Sequence, residues 1–214
     1  MKNPLILALF LASPLHAATV LIDFGATPTT GTSPTWNNFT NPAGGTSLTG
    51  LKDTAGNTTS MALTLNGTDA VGAVPDNNTP AAPSPFNVST VIVDSFFAPG
   101  TRTFTLSGLN TALTYDLTFY AYVNRTGTRL TNYTVNGNTV SIEPANTNLG
   151  GTGGVATLSS LVPDGSGNLT ISVALGTGNT GNWIMNGLAI NFVPEPSAAL
   201  LASLGLIPLL RRRR

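Results

Sequence analysis

Residues 115–123 read Tyr-Asp-Leu-Thr-Phe-Tyr-Ala-Tyr-Val, and their reading decides the fold. The odd positions Tyr115, Leu117, Phe119, Ala121 and Val123 make one apolar face. The even positions Asp116, Thr118, Tyr120 and Tyr122 make the other. Side chains alternate across a strand with period two, so this run predicts a strand with one face in a core. The same alternation recurs along the chain. Val20, Ile22 and Phe24 show it first, then Met61, Leu63 and Leu65, then Phe104 and Leu106. Leu169, Ile171, Val173 and Leu175 repeat it, and Ile184, Leu188, Ile190 and Phe192 close the series with Asn186 interrupting. No helical periodicity of useful length competes between Thr19 and Val193. Asn136-Gly137 favours a type I′ hairpin, because both central residues of that turn need positive φ. Asp164-Gly165-Ser166-Gly167 marks a further turn, and longer loops are expected over 75–85 and 144–154. Short strands with Gly, Pro and Asn punctuation predict an all-β, antiparallel two-sheet sandwich.

Composition excludes several functions. Charged residues are 8% of the chain. Between Thr19 and Val193 four basic residues (Lys52, Arg102, Arg125, Arg129) face eight acidic ones, a net −4. Such a balance has no electrostatic footprint for nucleic acid. There is no Cys, so disulfides, thiolate nucleophiles and Cys-ligated metals are excluded. The one His, His16, lies in the amino-terminal segment. Without it the domain has no imidazole for a Ser-His-Asp triad or a His-ligated zinc.

The two ends differ from the middle. Residues 1–18 read MKNPLILALFLASPLHAA: Lys2 is a positive start, Leu5–Leu11 an apolar run, and Ala17 and Ala18 small residues suited to cleavage. The run is shorter than the ~20 residues of a bilayer span. A signal peptide over 1–17 is expected, with cleavage after Ala17 preferred to cleavage after Ala18. Residues 193–214 read VPEPSAALLASLGLIPLLRRRR. Pro194-Glu195-Pro196 is followed by an apolar stretch, Ala198–Leu210, and then by Arg211, Arg212, Arg213 and Arg214. Arginines are costly to translocate and would act as a cytoplasmic stop for a short hydrophobic helix.

This ordered tail resembles the PEP-CTERM sorting signal of Gram-negative bacteria, which joins a Val-Pro-Glu-Pro motif, a hydrophobic segment and an Arg cluster. The resemblance implies recognition by an exosortase, a membrane-embedded cysteine peptidase or transpeptidase, and processing near Pro194, Glu195 and Pro196. It implies passage through the inner membrane to the cell surface or medium, in the company of exopolysaccharide and biofilm systems. The segment FTLSGLNTALTYDLTFYAYV, with YTVNG and NWIMNGLAINFV after it, is similar to jelly-roll ectodomains of the galactose-binding-like type. The expected organisation is then a signal helix at 1–17, a sandwich at 18–193 and a sorting segment at 194–214.

Candidate chemistry is sparse. No two acids sit at a spacing that puts them together, as a glycosidase pair requires, so no catalytic residue and no cofactor are expected. Asp53 with Asn57, Asp76 and Asp164 are loop acids of the kind that can ligate calcium, but they form no ligand array. Turn formation accounts for them better, so no metal site is expected. Aromatics are the best lead. Tyr120 and Tyr122 lie opposite the apolar face, and Trp36 and Trp183 lie beside Asn-rich stretches. A sugar presents a C–H face to an aromatic and hydroxyls to an amide, although cross-strand packing is the commoner use of paired tyrosines. The last strand runs straight into Pro194, which puts its carboxyl end at the membrane before processing. At about 3.3 Å per residue, loop 176–182 would lie some ~33 Å away. Asn179, Asn182 and Trp183 there are the candidate distal contacts for a polysaccharide. Two functions follow: a structural component of the cell surface or matrix, or a carbohydrate-binding module.

Overall fold

The computed structural model describes residues 18–31, 34–69, 71–75, 81–144 and 154–193. The signal-peptide and sorting segments, with Pro194, Glu195, Pro196 and the four terminal arginines, lie outside the described residues. In chain order the elements are β1 (Ala18–Phe24), β2 (Trp36–Phe39), β3 (Ser47–Thr49), β4 (Ala62–Leu65) and β5 (Gly72–Pro75). A short helix α1 (Ser89–Val93) precedes β6 (Asp94–Ala98), β7 (Arg102–Ser107), β8 (Thr114–Ala121), β9 (Thr131–Val135) and β10 (Asn138–Ile142). β11 (Gly154–Leu161), β12 (Leu169–Leu175), β13 (Trp183–Met185) and β14 (Gly187–Val193) complete the series.

The strands form a β-sandwich. One sheet has the order β11-β8-β14-β1-β2 and the other β10-β9-β12-β7-β4-β3. Two features depart from a plain antiparallel pair of sheets. β1 and β2 run parallel, and a third ladder, β13-β6-β5, flanks the sandwich. β13 joins that ladder, and the last apolar run is broken at Asn186 between β13 and β14. β13 pairs with β6, whereas β14, one residue later, pairs with β1 and β8.

The alternating residues meet inside. Tyr115, Leu117, Phe119 and Ala121 of β8 enter one core with Val20, Ile22, Phe104, Leu106, Leu169 and Ile171. Phe119 stacks on Tyr133 of the opposite sheet at 4.4 Å between ring centroids. Phe24 packs edge-on against Phe96 and Phe104, at 5.6 and 5.8 Å. Offset and edge-to-face contacts of this kind add to simple area burial. The Asn136-Gly137 turn has φ of 51° and 79°, as a type I′ hairpin requires. It joins β9 to β10 with Val135 opposite Asn138.

The outer face of the five-stranded sheet is not bare. The segment around Phe86 and α1 covers part of it and makes a second core. Leu21, Trp36, Tyr120, Tyr122 and Ala189 are buried there against Phe86, Val91 and Ile92. Phe86 stacks on Tyr120 at 5.2 Å and 13°. β1 is consequently buried on both faces from Val20 to Phe24.

The register gives a direct test. Phe119→Ala should cost about 3–5 kcal/mol in chemical denaturation, because it empties a filled site and unstacks Tyr133. Thr118→Ala should cost under about 1 kcal/mol, since Thr118 is only half-buried and meets Thr157 at the sheet surface. Equal losses at the two positions would contradict the register.

Candidate functional site

The strand register fixes a polarity. Ala18 lies opposite Phe192, so the first and last strands start and finish at the same end of the sheet. Ala18 therefore lies beside the finish of β14. On the neighbouring strand, Thr114 lies opposite Val193 and Tyr120 opposite Gly187. Six residue steps separate those pairs, about 20 Å at the rise of a strand. The chain beyond β8 continues past Gly187 into Val123 and Arg125 at the far end.

At that far end is a cleft of about 180 Å³. Its apolar wall is Phe97, Val123 and Ile184, and its polar rim is Ser95, Arg125, Arg129 and Asn182. Arg125 is exposed and donates to the carbonyl of its neighbour Asn124 at 2.8 Å. Arg129 is half-buried, and its Nε is sealed from solvent without a hydrogen-bond partner among the described residues. Its backbone N–H donates to both oxygens of Glu143, at 2.9 and 3.1 Å.

A larger groove, about 400 Å³, lies on the outer face of the five-stranded sheet beside Pro83, Pro85 and Phe86. Among the described residues no charged side chain lines it, and two of its polar groups already pair, Thr19 Oγ1 donating to Asn191 Oδ1 at 2.6 Å.

The structure corrects most of the predicted aromatic contacts. Trp183 is fully buried, and its Nε1 donates to the Gly100 carbonyl at 2.7 Å. It anchors β13 and offers no surface to a glycan. Tyr120 and Tyr122 are also fully buried, because Phe86 and α1 cover the face that alternation alone left open. Asn179 works within its loop: its amide donates to the carbonyls of Leu130 and Asn182 and accepts from the Gly181 N–H. Loop 176–182 is laced to 128–130, with Gly176 and Thr180 N–H groups bonded to Leu130 and Thr128. Of the named contacts, Asn182 reaches the cleft. Arg125 and Arg129 were missed because nothing in sequence links them to Asn182, more than fifty residues on.

The loop acids shape turns. Asp53 accepts from the N–H groups of Ala55 and Asn57 and from the Asn57 amide, and these bonds hold its carboxyl below the usual range. Asp164 accepts from Ser166 and Asn168 in the same manner. Asp76 lies outside the described residues.

Two further acids are buried where β1 ends and β6 begins. Asp23 accepts from Thr29 N–H at 3.1 Å and from Thr29 Oγ1 at 2.7 Å. Asp94 accepts from Thr27 N–H at 2.5 Å. Among the described residues Oδ1 of each has no hydrogen-bond partner. Desolvation raises Asp23 to about 7 against the pull of the Thr29 hydroxyl, and the Asp94 charge adds to the rise. Desolvation likewise raises Asp94 to about 6. Both carboxyls are therefore held as neutral acids in mildly acidic solution. Among the described residues no three His, Cys, Asp or Glu side chains cluster as metal ligands.

No protein-family model matches the chain, and no curated protein is similar to it. Among solved structures it is similar to the extracellular domain of ANXUR2 from Arabidopsis thaliana, with 13% identity and a TM-score of 0.54. That match covers 83% of this chain and 49% of the other. It is also similar to the ANX2 ectodomain from Arabidopsis thaliana, with 14% identity and a TM-score of 0.51, over 83% of this chain and 50% of that one. The chain spans about half the length of these ectodomains. At such identity the likeness is one of fold: the chain is a β-sandwich of the kind found in those ectodomains.

The buried acids predict the pH profile. Their folded values exceed the unfolded 3.8, so the native state binds more protons between about pH 4 and pH 7. Stability is then full below about pH 4 for these groups and falls as pH rises to about 7. Denaturation midpoints at pH 5 should exceed those at pH 8, and Asp23→Asn should flatten the difference. A midpoint that rises from pH 5 to pH 8 would contradict the assignment.

Proposed function

We propose that the chain is an exported cell-surface or extracellular-matrix protein sorted by an exosortase, with the sandwich as its displayed domain. The observation that carries this reading is the ordered run of Pro194-Glu195-Pro196, apolar segment and Arg211–Arg214 directly after β14. One structural feature supports it. Ala18 and Phe192 are register partners, so a leader joined at Ala18 and a membrane segment joined at Val193 would leave the domain at one end. A domain held at that end presents its opposite end to the surroundings. The role is non-catalytic and structural, in a matrix that contains exopolysaccharide, and the sandwich is a jelly roll of the galactose-binding-like type. The partners are the export machinery, the exosortase and the membrane; nucleic acid has no part in it.

A second reading, a carbohydrate-binding module, is favoured by the cleft at the far end. It joins an apolar wall to an amide and two guanidinium groups, the mixture that sugar recognition uses.

Removal of 194–214 tests the sorting reading. β14 ends at Val193, so the truncation leaves every sheet intact. In an exosortase-bearing Gram-negative host the truncated protein should pass into the medium, whereas the full chain is held at the membrane or surface. Equal retention of the two forms would remove the main support for the proposal.

A further inference from the structure

Of the four cations between Thr19 and Val193, two meet at the far-end cleft. That concentration stands out in a domain of net negative charge. Arg102 has a carboxylate partner, Asp69, at 3.6 Å. Among the described residues neither Arg125 nor Arg129 has one. Arg129 is the more telling. Its side chain is half-buried, donates no hydrogen bond among the described residues, and carries a solvent-sealed Nε with no acceptor. Its Nε loses hydration that no group among the described residues replaces, while the two terminal nitrogens are not sealed.

Its position is also built. The guanidinium lies against Gly181, where a Cβ would come within 1.2 Å of Nη1. Any other residue at 181 would push Arg129 away. The nearby Glu143 carboxylate is occupied with the Arg129 backbone N–H, on the main-chain side of the residue. Arg129 lines the cleft, and its terminal nitrogens donate to no protein partner among the described residues.

We propose that this cleft binds the carboxylate of a uronic-acid residue in an acidic polysaccharide. The inference rests on the carbohydrate-binding reading and names its ligand class. A planar guanidinium matches a planar carboxylate through two parallel hydrogen bonds. Arg125 adds positive charge at the mouth. Asn182, whose side-chain amide makes no bond among the described residues, takes ring hydroxyls. Phe97, which is half-buried, receives the C–H face of the ring, with Ile184 packed behind it. The cleft is smaller than the ~300 Å³ at which pockets begin to enclose drug-sized ligands. It therefore admits one ring, a chain end or a side branch.

The test is calorimetric titration of the full chain, in detergent, with a tetragalacturonate and with the same oligomer carboxyl-reduced to neutral galactose units. The acid oligomer should bind saturably and more weakly as salt rises. The reduced oligomer should bind at least about tenfold more weakly, the loss of one charge-assisted pair. Arg129→Gln should lose at least about tenfold for the acid oligomer. Gly181→Ala should lose as much without any change of charge, because it displaces the guanidinium. Equal affinity for the acid and reduced oligomers would overturn the carboxylate assignment and leave the carbohydrate reading standing. Binding of neither would overturn both, and an acidic tetrapeptide that bound as tightly as the acid oligomer would overturn the saccharide assignment. The comparison of the two oligomers on the unaltered chain decides the matter even if a variant fails to fold.

Discussion

The side chain of Asn186 ties together parts of the molecule that no strand ladder joins. It is fully buried. Its Oδ1 accepts the Tyr122 N–H at 2.7 Å, and its amide donates to the carbonyls of Asp94 and Ile92 at 2.6 and 3.3 Å. Its own N–H donates to the Tyr120 carbonyl, and its carbonyl accepts the Phe24 N–H. One residue thereby connects β8, β1, α1 and β6 at the point where the last run changes sheets. Each of those backbone groups is in the interior, where an unmet donor or acceptor costs roughly 1–3 kcal/mol. An apolar residue at 186 would continue the alternation but would orphan three of them. The break in pattern is thus what allows β13 to leave the main sheet and pair with β6.

The far-end cleft depends on that departure. Phe97 comes from β6, Asn182 and Ile184 from the start of β13, and Val123 and Arg125 from the chain just past β8. Were β13 to run on as a straight extension of β14, its pairing with β6 would be lost and the apolar wall with it. The opposite end is simple by comparison: a central pair of strands, β1 and β14, with Ala18 beside Phe192. The domain therefore has a plain end that holds Ala18 and Phe192 and an irregular end where side chains of several elements converge. Loops and strand ends carried on a rigid sheet are the usual place for recognition.

Much of the sandwich was legible in residues 115–123 and their counterparts, because the inward phase of a half-buried strand is written in a period of two. The type I′ turn was legible in Asn136-Gly137, which has little other conformational use between two strands. The second core was not. Tyr120 and Tyr122 read as a surface face because covering it needs Phe86 and Val91, which sit around a proline-rich loop with no helical or strand pattern. Trp183 read as exposed because Asn-rich neighbours suggested a loop, whereas the residue opens β13 opposite Ala98. The parallel pairing of β1 with β2 follows from a short crossover with no signal of its own. For the site, Asn182 was legible as a polar residue at the distal end. Arg125 and Arg129 became meaningful only when the fold set them beside it.

Asn186 is the feature on which the irregular end stands, and its bond to Tyr122 can be observed directly. The Tyr122 N–H lies just past the end of β8, outside the ladders, and the Asn186 amide oxygen is its acceptor. Native-state hydrogen exchange at the Tyr122 amide is therefore the decisive measurement. The account predicts exchange as slow as that of Leu117 and Phe119 in the middle of β8, reached only through global unfolding. Exchange as fast as that of the exposed turn amides around Gly165 would contradict it.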